Sequence, residues 1–303
     1  MISKIKRLMD NPQDFLIRIS HLSIFNTLPD SVFLNMLYKI YTGKSLNLES
    51  PKTFNEKLQW LKLYDRNSFY TNLVDKYEVR KYIAETIGEE YLISLIGVWD
   101  KFDDIDFESL PEKFVLKCTH DSGGMVICTD KGKLDIELAK KKITKSLNRN
   151  YFFQCREWPY KNLTPKIICE KYMVDESGKE LKDYKIFCFN GEPEVIQVDF
   201  NRFIEHKRNF YDKKWGLLPT AIRYPNDPKT LISKPKRLND MLNLARVLAK
   251  NYPFVRIDFY SINSRLYFGE MTFYPEGGVG KFKPDNYDAI FGEWLELPTT
   301  KIR

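Results

Sequence analysis

The sequence predicts an α+β fold in which two closely joined lobes follow an N-terminal helical region. Helical periodicity dominates residues 1–70, short apolar strands separated by turn residues occupy 113–129, and longer alternating strands with one amphipathic helix follow from 166 onward. No internal repeat or low-complexity linker interrupts this order. We therefore predict a helical region over 1–70 and a larger α+β unit over 71–303, divided into a small β-rich lobe at about 112–175 and a second lobe with a mixed sheet at about 176–303.

Composition excludes several classes of protein. Of the 303 residues 43% are hydrophobic and 15% aromatic, which is typical of a globular protein. No apolar run approaches the ~18 residues of a membrane span, and the N-terminus has neither the apolar core nor the cleavage site of a signal peptide. The five cysteines form no C-x-x-C, which argues against a disulfide framework or a zinc site. We expect four of them to be small core residues and the protein to be cytoplasmic.

The net charge of +7 suits a polyanionic partner, whether a nucleotide, a nucleic acid or an anionic membrane surface. The basic residues are scattered, however, and the densest run, 140–142 with Lys145, is typical of a solvated helix face. We therefore expect no nucleic-acid partner. An N-terminal apolar stripe at helical spacing could pack on the protein or lie on a membrane, and its mild charge favours packing; it comprises Phe15, Leu16, Ile19, Leu22 and Phe25.

The first half of the chain offers clear local signals. Thr53 can cap a helix that begins at the next residue, with Glu56 completing a capping box. A second helix is predicted over 73–86. A buried strand or extended segment over 91–99, strands over 113–118, 125–129 and 166–170, and a helix over 134–147 follow. On that helix Leu134, Leu138 and Leu147 share one face, with Ile143 nearby.

The second half is built from hairpins. Asn190-Gly191 is a strong two-residue turn signal between strands over 183–189 and 194–200. A helix over 238–248 precedes a hairpin with strands at 254–260 and 265–273 and a turn at 261–264. Alternation along its second strand would place Leu266, Phe268, Glu270 and Thr272 on one face.

That last hairpin carries the first candidate site. If its register is even, Asp258 and Glu270 face the same side of adjacent strands. Two carboxylates so placed suit Mg²⁺, which takes oxygen ligands and keeps positions for substrate phosphates. Arg256 lies on the same face and would place positive charge where negative charge develops. The alternative is a surface hairpin with a charged outer face.

A second candidate site combines a strand lysine with a glycine-rich loop. Lys117 is followed closely by Ser122, Gly123 and Gly124. Amides of such a loop can close over phosphates while the lysine supplies a point charge. The alternative is an ordinary hairpin with an exposed lysine. Asp104 and Asp106 also form a D-x-D, the motif with which metal-dependent glycosyltransferases hold sugar nucleotides, although three residues make a weak motif.

Four segments together resemble the ATP-grasp superfamily in the family's own order: residues 75–80, Val115-Leu116-Lys117 with the glycine-rich loop, 170–173, and 256–258 with 270–275. Over nearly the whole length the chain is most similar to the TupA-like, teichuronopeptide-biosynthesis ATP-grasp family, for example in 46–60 and 268–273. The resemblance implies an ATP-grasp fold whose cofactors are ATP and Mg²⁺, with the second lobe binding the metal.

The resemblance also implies roles for individual residues. Arg80 and Lys117 would hold the α- and β-phosphates, and Lys185 the γ-phosphate. Arg256 would stabilise the transferring phosphoryl group. The glycine-rich loop would cover the phosphates, and main-chain groups of the hinge would bind adenine; these hinge residues are Glu170, Lys171, Tyr172 and Met173. Asp258, Glu270 and Thr272 would hold Mg²⁺, with Thr272 in the place of the superfamily's usual asparagine.

The implied reaction is ATP-dependent amide formation between a hexuronic acid carboxylate and an amino acid or amine, through an acyl phosphate, in bacterial surface polysaccharide assembly. Tyr274, Glu276 and Lys281 follow the metal strand and are candidates for substrate contact. The partners would be a uronic-acid-containing sugar or glycan and an amine, with peripheral association at the inner membrane face or with assembly enzymes left open. The alternatives are a glycosyltransferase, a sugar kinase and a non-catalytic assembly partner.

Overall fold

The computed structural model describes residues 16–17, 19–20, 22–175, 181–201, 205–230 and 232–302. Phe15, the first member of the predicted N-terminal stripe, lies outside these ranges. Leu16 and Ile19 have helical backbone, but the side chains of Leu16 and Leu22 are about half exposed. These two leucines therefore do not form the packed face that we predicted. None of the described helices combines the length and the apolar character that crossing a bilayer requires.

In the described chain several helices precede the first strand, and the later helices lie between strands or after the last of them. The helices are α1 Asp30–Thr42, α2 Phe54–Tyr64, α3 Tyr70–Val74, α4 Val79–Thr86, α5 Ile136–Leu147, α6 Phe152–Cys155, α7 Leu238–Ala249 and α8 Asn286–Trp294. The strands are β1 Leu95–Trp99, β2 Phe114–Cys118, β3 Met125–Cys128, β4 Ile167–Lys171, β5 Asp183–Phe189, β6 Glu192–Phe200, β7 Lys207–Asp212, β8 Leu217–Leu218, β9 Ala221–Ile222, β10 Phe254–Ile262, β11 Arg265–Thr272 and β12 Phe282–Lys283.

The capping box predicted for α2 is confirmed. The Thr53 side chain accepts a hydrogen bond from Glu56 N at 3.2 Å, and the Glu56 carboxylate accepts one from Thr53 N at 3.1 Å. Two of the amides left free at a helix N-terminus are thereby satisfied. The first residue of α2, Phe54, is buried with its ring centroid 4.9 Å from that of Phe254 and 5.9 Å from that of Phe291. Helix α2 is therefore a wall of the main hydrophobic core.

The prediction of a single helix over 73–86 is wrong. Asp75 lies between α3 and α4, and its Oδ1 accepts hydrogen bonds from Tyr77 N at 2.7 Å and Glu78 N at 2.9 Å. A short acidic side chain can offer such amides an alternative to the helical pattern. The chain consequently turns at Asp75, which separates the two short helices α3 and α4.

The small lobe contains a four-stranded antiparallel sheet in the order β1-β4-β2-β3, with α5 packed on β2 and β3. Two details differ from the prediction. The buried residues of α5 are Ala139, Ile143 and Ser146, whereas Leu138 is 63% exposed. Residues 91–99 are not one buried strand, because a 3₁₀ helix ends at Tyr91 and the strand of this segment is β1, which is only partly buried.

The second lobe contains a six-stranded sheet in the order β11-β10-β5-β6-β7-β8, in which every pair is antiparallel. The prediction of a mixed sheet is therefore wrong. The Asn190-Gly191 turn is confirmed, with both residues at positive φ (49° and 85°) as a tight hairpin requires. Helix α7 packs on β5, β6 and β10, and its buried residues are the ones predicted from spacing: Leu238, Met241, Leu242, Ala245, Leu248 and Ala249.

The hairpin of β10 and β11 contains a bulge that regular alternation could not predict. Asp258 pairs with Glu270 and Phe259 pairs with Phe268, so Gly269 is the extra residue of β11. Leu266 and Phe268 consequently face the hydrophobic core, while Glu270 and Thr272 lie on the opposite face. The prediction that these four side chains share one face is wrong. Four cysteines are buried and free, as expected: Cys118, Cys128, Cys169 and Cys188.

Candidate functional site

The predicted carboxylate pair meets across β10 and β11. Arg256 reaches over both acids: its Nε donates to Asp258 Oδ1 at 2.7 Å, and its Nη2 donates to Asp258 Oδ2 at 2.8 Å and to Glu270 Oε1 at 2.9 Å. The same Nη2 lies 3.1 Å from Thr272 Oγ1. Strand register thus brings Arg256, Asp258, Glu270 and Thr272 together, as the sequence predicted.

Lys185 completes this face from the neighbouring strand. Residue 185 of β5 pairs with residue 258 of β10, and Lys185 Nζ donates to Asp258 Oδ2 at 2.5 Å. A second carboxylate, that of Asp183, lies 3.2 Å from the same nitrogen. Lys185 and Asp258 are 8% and 2% exposed. Two cations and their counter-charges are therefore buried together, where their interactions are much stronger than in water.

The charges of this face are set by burial and by one another. Burial would raise the pKa of Glu270, but the nearby cations, Lys76 foremost, lower it to about 2. Burial raises the pKa of Asp258, against the opposing effect of Arg256 and Lys185. Burial lowers the pKa of Arg256, but Asp258 and Glu270 outweigh it, and the net shift is upward. Glu270 is accordingly an anion at neutral pH and Arg256 a cation.

The residues predicted to hold the nucleotide phosphates meet at Glu170. Lys117 Nζ donates to Glu170 Oε2 at 2.7 Å, and Arg80 Nη1 lies 3.3 Å from Glu170 Oε1. They border a cleft that is lined by Lys76, Arg80, Lys117, Glu170, Phe268 and Gly269. Because Gly269 precedes Glu270 directly, the cleft opens beside the carboxylate face. Three basic side chains around one cleft make it suitable for polyphosphate.

The glycine-rich loop is held by charged side chains. Asp121 Oδ1 accepts from Gly124 N at 2.9 Å, and Asp121 Oδ2 accepts from Arg149 Nη2 at 2.8 Å and from the Ser146 hydroxyl. Lys76 Nζ donates to Asp121 O at 2.7 Å. The Gly124 amide is therefore engaged within the protein. Ser122 and Gly123 are exposed at the tip of the loop.

The hinge prediction refers to main-chain groups just after β4. Lys171 N donates to Ser94 O at 3.0 Å, so this amide is already used. Tyr172 and Met173 follow the strand in irregular backbone and are partly buried. Glu170 directs its side chain to Arg80 and Lys117. Adenine binding by these residues stays a prediction.

The remaining candidates lie further from the carboxylate face or are engaged elsewhere. Tyr274 is buried, and Glu276 pairs with Arg208 and Arg223, each at 2.8 Å. Lys281 is exposed. In the D-x-D segment, Asp106 accepts from Glu108 N, and both aspartates of the motif are exposed. The contacts of Asp104 and Asp106 thus give no sign of a metal site.

Asp258 and Glu270 suit a magnesium ion that is bound by the protein and by phosphates together. Mg²⁺ is commonly held by one or two carboxylates together with substrate phosphates and water. Asp258, Glu270 and the Thr272 hydroxyl supply such oxygens on one face. Among the described residues no group of three or more His, Cys, Asp or Glu side chains could hold a metal alone. The donor set therefore matches a metal that arrives with a nucleotide.

Two residues near these sites were missed by the sequence reasoning. Lys76 lines the cleft and tethers the glycine-rich loop, although it stands in the 75–80 segment from which only Arg80 was selected. Glu157 lies close enough to Arg256 for its charge to be felt, and no motif marks it.

Comparison with known proteins adds the family. A model of the "TupA-like ATPgrasp" family matches residues 56–296. No curated protein matches the chain at a significant level. Similar solved structures include D-alanine–D-alanine ligase from Bacillus anthracis complexed with ATP (16% identity, 72% of this chain, 56% of that chain, TM-score 0.40). They also include L-amino acid ligase from Bacillus licheniformis (15%, 72%, 46%, TM-score 0.42) and the ATP-grasp ligase PsnB complexed with minimal precursor, Mg and ADP (6%, 72%, 57%, TM-score 0.39).

These structural likenesses are distant, and the chain spans little more than half of the first D-alanine–D-alanine ligase. The family match, by contrast, covers most of the chain and contains every residue of the carboxylate face and of the cleft. It agrees with the α+β architecture and with the resemblance found in the sequence. The chain belongs to the TupA-like ATP-grasp family.

Proposed function

We propose that the protein is an ATP-dependent carboxylate–amine ligase that joins the carboxylate of a hexuronic acid to an amino acid or amine. The observation that carries this proposal is the meeting of Arg256 and Lys185 with Asp258 and Glu270 beside a cleft lined by Lys76, Arg80 and Lys117. The basic side chains of such a site would bind a polyphosphate, and its acidic side chains would hold a divalent cation that neutralises part of the phosphate charge.

The chemistry of amide formation explains this set of residues. A carboxylate reacts with an amine only after one of its oxygens becomes part of a leaving group, and transfer of the γ-phosphoryl group provides it as phosphate. Lys117 and Arg80 would bind the α- and β-phosphates, and Lys185 the γ-phosphate. Arg256 would neutralise the charge that develops on the transferring group. Mg²⁺, held by Asp258 and Glu270, would supply charge neutralisation on the phosphates.

Lys185 has a particular part in this scheme. In the structure it pairs with Asp258, so binding a phosphate there requires it to share or exchange that partner. Asp183 lies 3.2 Å away and can keep Lys185 positioned during the exchange. The burial of the site also limits access of water, which would hydrolyse an acyl phosphate.

The substrate class and cellular setting are the finer part of the proposal. A hexuronic acid acceptor and a role in capsule, O-antigen or cell-wall polysaccharide assembly are proposed from the resemblance of the sequence to teichuronopeptide-biosynthesis ATP-grasp proteins. We place the protein in the cytoplasm, with access to glycan intermediates at the inner membrane face.

The test is a reconstituted reaction followed by mass spectrometry. Purified protein is incubated with Mg-ATP, glucuronate- or galacturonate-containing nucleotide sugars and oligosaccharides, and a mixture of standard amino acids. We expect ADP and phosphate release that needs both substrates, and a product heavier than the sugar by the amine less water. Hydroxylamine should replace the amine and give a hydroxamate.

The Arg256→Ala variant tests the role of the arginine in the reaction. It should bind ATP but lose turnover by orders of magnitude, because the charge of Arg256 matters most in the transition state. A phosphorylated sugar without an amide would indicate a sugar kinase instead. A new glycosidic bond would indicate a glycosyltransferase.

A further inference from the structure

Charged side chains continue from the carboxylate face across the six-stranded sheet. Residue 183 of β5 pairs with residue 199 of β6, which pairs in turn with residue 208 of β7. Asp183 contacts Lys185, and Asp199 Oδ1 accepts a hydrogen bond from Arg208 Nε at 2.6 Å. Because paired residues of neighbouring strands share a face, these side chains lie on the same face as Asp258. The backbone of Arg208 is three strand spacings, about 14 Å, from that of β10.

Arg208 is a buried support at the far side of this face. Its Nη1 donates to Glu276 Oε1 at 2.8 Å and to Ile222 O at 3.2 Å. The other oxygen of Glu276, Oε2, accepts a hydrogen bond from Arg223 Nη1 at 2.8 Å. Arg208 thus holds both the carbonyl group that directly precedes Arg223 and the carboxylate that pairs with it. Charged hydrogen bonds of this kind fix the orientation of the side chains that they join.

Arg223 is the exposed end of this series of charges. Its side chain is 61% exposed, whereas that of Glu276 is 17% exposed. Both residues have positive φ, 63° and 51°, a conformation that costs energy for residues other than glycine and that recurs at ligand-binding sites. An exposed ion pair contributes too little stability to account for that cost. Within the described ranges the guanidinium of Arg223 makes its hydrogen bond through Nη1, so most of its five donors face solvent.

A second exposed cation, Lys281, lies at the same place. Ile222 of β9 pairs with Phe282 of β12 in an antiparallel ladder. Arg223 directly follows the first of these residues and Lys281 directly precedes the second, so both are at the same end of the ladder. Both are exposed. Two neighbouring cations attract a phosphate or a carboxylate, and an arginine can donate to two of its oxygens at once.

We propose that Arg223, together with Lys281, binds a second anionic group of the sugar acceptor while the reacting carboxylate lies beside Arg256. The inference rests on the proposed ligase function and names its substrate class, a uronic acid whose glycan carries a further anionic group. That group is the diphosphate of a nucleotide-linked or lipid-linked sugar, or the carboxylate of a neighbouring uronate. The width of the sheet between the two ends exceeds one pyranose ring, so a lone uronic acid reaches only one of them.

The test is calorimetry on protein whose cleft is saturated with a non-hydrolysable ATP analogue and Mg²⁺. The probes are methyl glucuronoside, which has a single anionic group, UDP-glucuronate and trigalacturonate. We expect Arg223→Gln to bind at least one of the two longer probes about tenfold more weakly than the wild type, the usual effect of losing a hydrogen bond between charged groups. Methyl glucuronoside should bind both proteins equally. A loss confined to UDP-glucuronate identifies a diphosphate, and one confined to trigalacturonate identifies a neighbouring carboxylate.

Two further variants separate this role from a purely structural one. Arg223→Lys keeps the charge and should recover part of the lost affinity. Arg246→Gln, at an exposed arginine that also pairs with a glutamate, Glu192, is the matched control and should bind every probe as the wild type does. If Arg223 only stabilised the turn at Glu276, Arg223→Gln would weaken binding of methyl glucuronoside and of the longer probes alike, and that result would overturn the inference.

Inorganic pyrophosphate tests the anion site without the sugar and without turnover. Added to the same nucleotide-saturated proteins, it should bind Arg223→Gln about tenfold more weakly than the wild type. If pyrophosphate and both longer probes bind the two proteins equally, the inference fails. If the wild type makes no amide or hydroxamate and yet binds pyrophosphate through Arg223, the ligase proposal fails and the anion site remains.

Discussion

Asp258 pairs with Glu270 across the β10–β11 hairpin because Gly269 is an extra residue of β11 with no partner on β10. This bulge lies on the side of the pair that faces the turn. If Gly269 were paired in a regular strand, alternation would place Glu270 on the same face as Phe268, which is buried in the core. One bulged glycine thus lets a single strand direct Leu266 and Phe268 inward and still present Glu270 and Thr272 to the site. Bulges that re-aim side chains next to active sites are a known use of the feature.

Substitution of the bulge should therefore affect activity. A Cβ atom at Gly269 would stand 3.1 Å from Asp258 O and 3.3 Å from Asp258 Cβ, so Gly269→Ala must shift the strand that carries Asp258. We expect a loss of about 1–3 kcal/mol in the free energy of unfolding, as for other overpacked sites, with a clear fall in ATP turnover. Denaturant titration and ADP release measure the two. Gly132→Ala, whose nearest neighbour is a side-chain oxygen 3.4 Å away, should change neither.

The two carboxylates should differ in what they contribute to folding. Asp258→Asn leaves Arg256 and Lys185 buried with less counter-charge, and breaking a buried ion pair in this way costs about 3–5 kcal/mol. The side chain of Glu270 is 37% exposed, so Glu270→Gln should cost much less. Both variants should lose Mg-dependent turnover. Unfolding curves measure the stability of each variant, and ADP release measures its turnover. A folded Asp258→Asn/Glu270→Gln double variant with wild-type ADP release would refute the site.

A substitution at Lys117 tests the proposed binding of the nucleotide phosphates. Lys117→Ala should weaken Mg-ATP binding by about 1–3 kcal/mol, because a charged contact to phosphate is lost. In the structure Lys117 pairs with Glu170, which leaves Arg80 as the remaining partner of that carboxylate. Calorimetry measures the affinity. Lys113→Ala, at an exposed lysine just before β2, is the matched control, and equal affinities for the two variants would contradict the assignment of Lys117.

Glu157 should make stability depend on pH. Its pKa is about 7 in the folded protein, above its ordinary value, so the native state binds more protons than the unfolded state between pH 4.5 and 7. The free energy of unfolding should therefore fall as pH rises through this window, by at most about 3 kcal/mol. Denaturant titrations at pH 5 and pH 8 measure it. Glu157→Gln should remove this component, and an unchanged slope would falsify the assigned shift.

Sequence patterns predicted most of this architecture where local rules apply. The Thr53 capping box, the Asn190-Gly191 turn and the buried face of α7 follow from side-chain chemistry within a few residues, and each is confirmed. Strand spacing also brought Asp258, Glu270 and Arg256 together. The failures arose where a single residue changes the pattern. Asp75 interrupts a helix with its side chain, and Gly269 inserts an unpaired position into a strand.

The electrostatic environment could not be predicted in the same way. Lys76 acts on Glu270, and Glu157 acts near Arg256, from positions far apart in the sequence. Only the packing of separate segments makes these residues neighbours. Neither carries a motif, because a lysine after a turn and a glutamate before Trp158 are common on any surface. Their importance comes from their three-dimensional surroundings, which a single sequence states poorly.

Helix α2 has a consequence for how the protein can be divided. Gln59 and Lys62 donate hydrogen bonds to the carbonyl oxygens of Gly277 and Gly278, and Phe54 fills the aromatic core of the second lobe. A fragment that begins after residue 70 would retain every predicted nucleotide contact and yet lack the helix that fastens the turn beyond Thr272. The chain therefore needs more residues to fold than the residues that perform the chemistry. Substitutions in α2 should alter the turn that follows Thr272, where β11 ends.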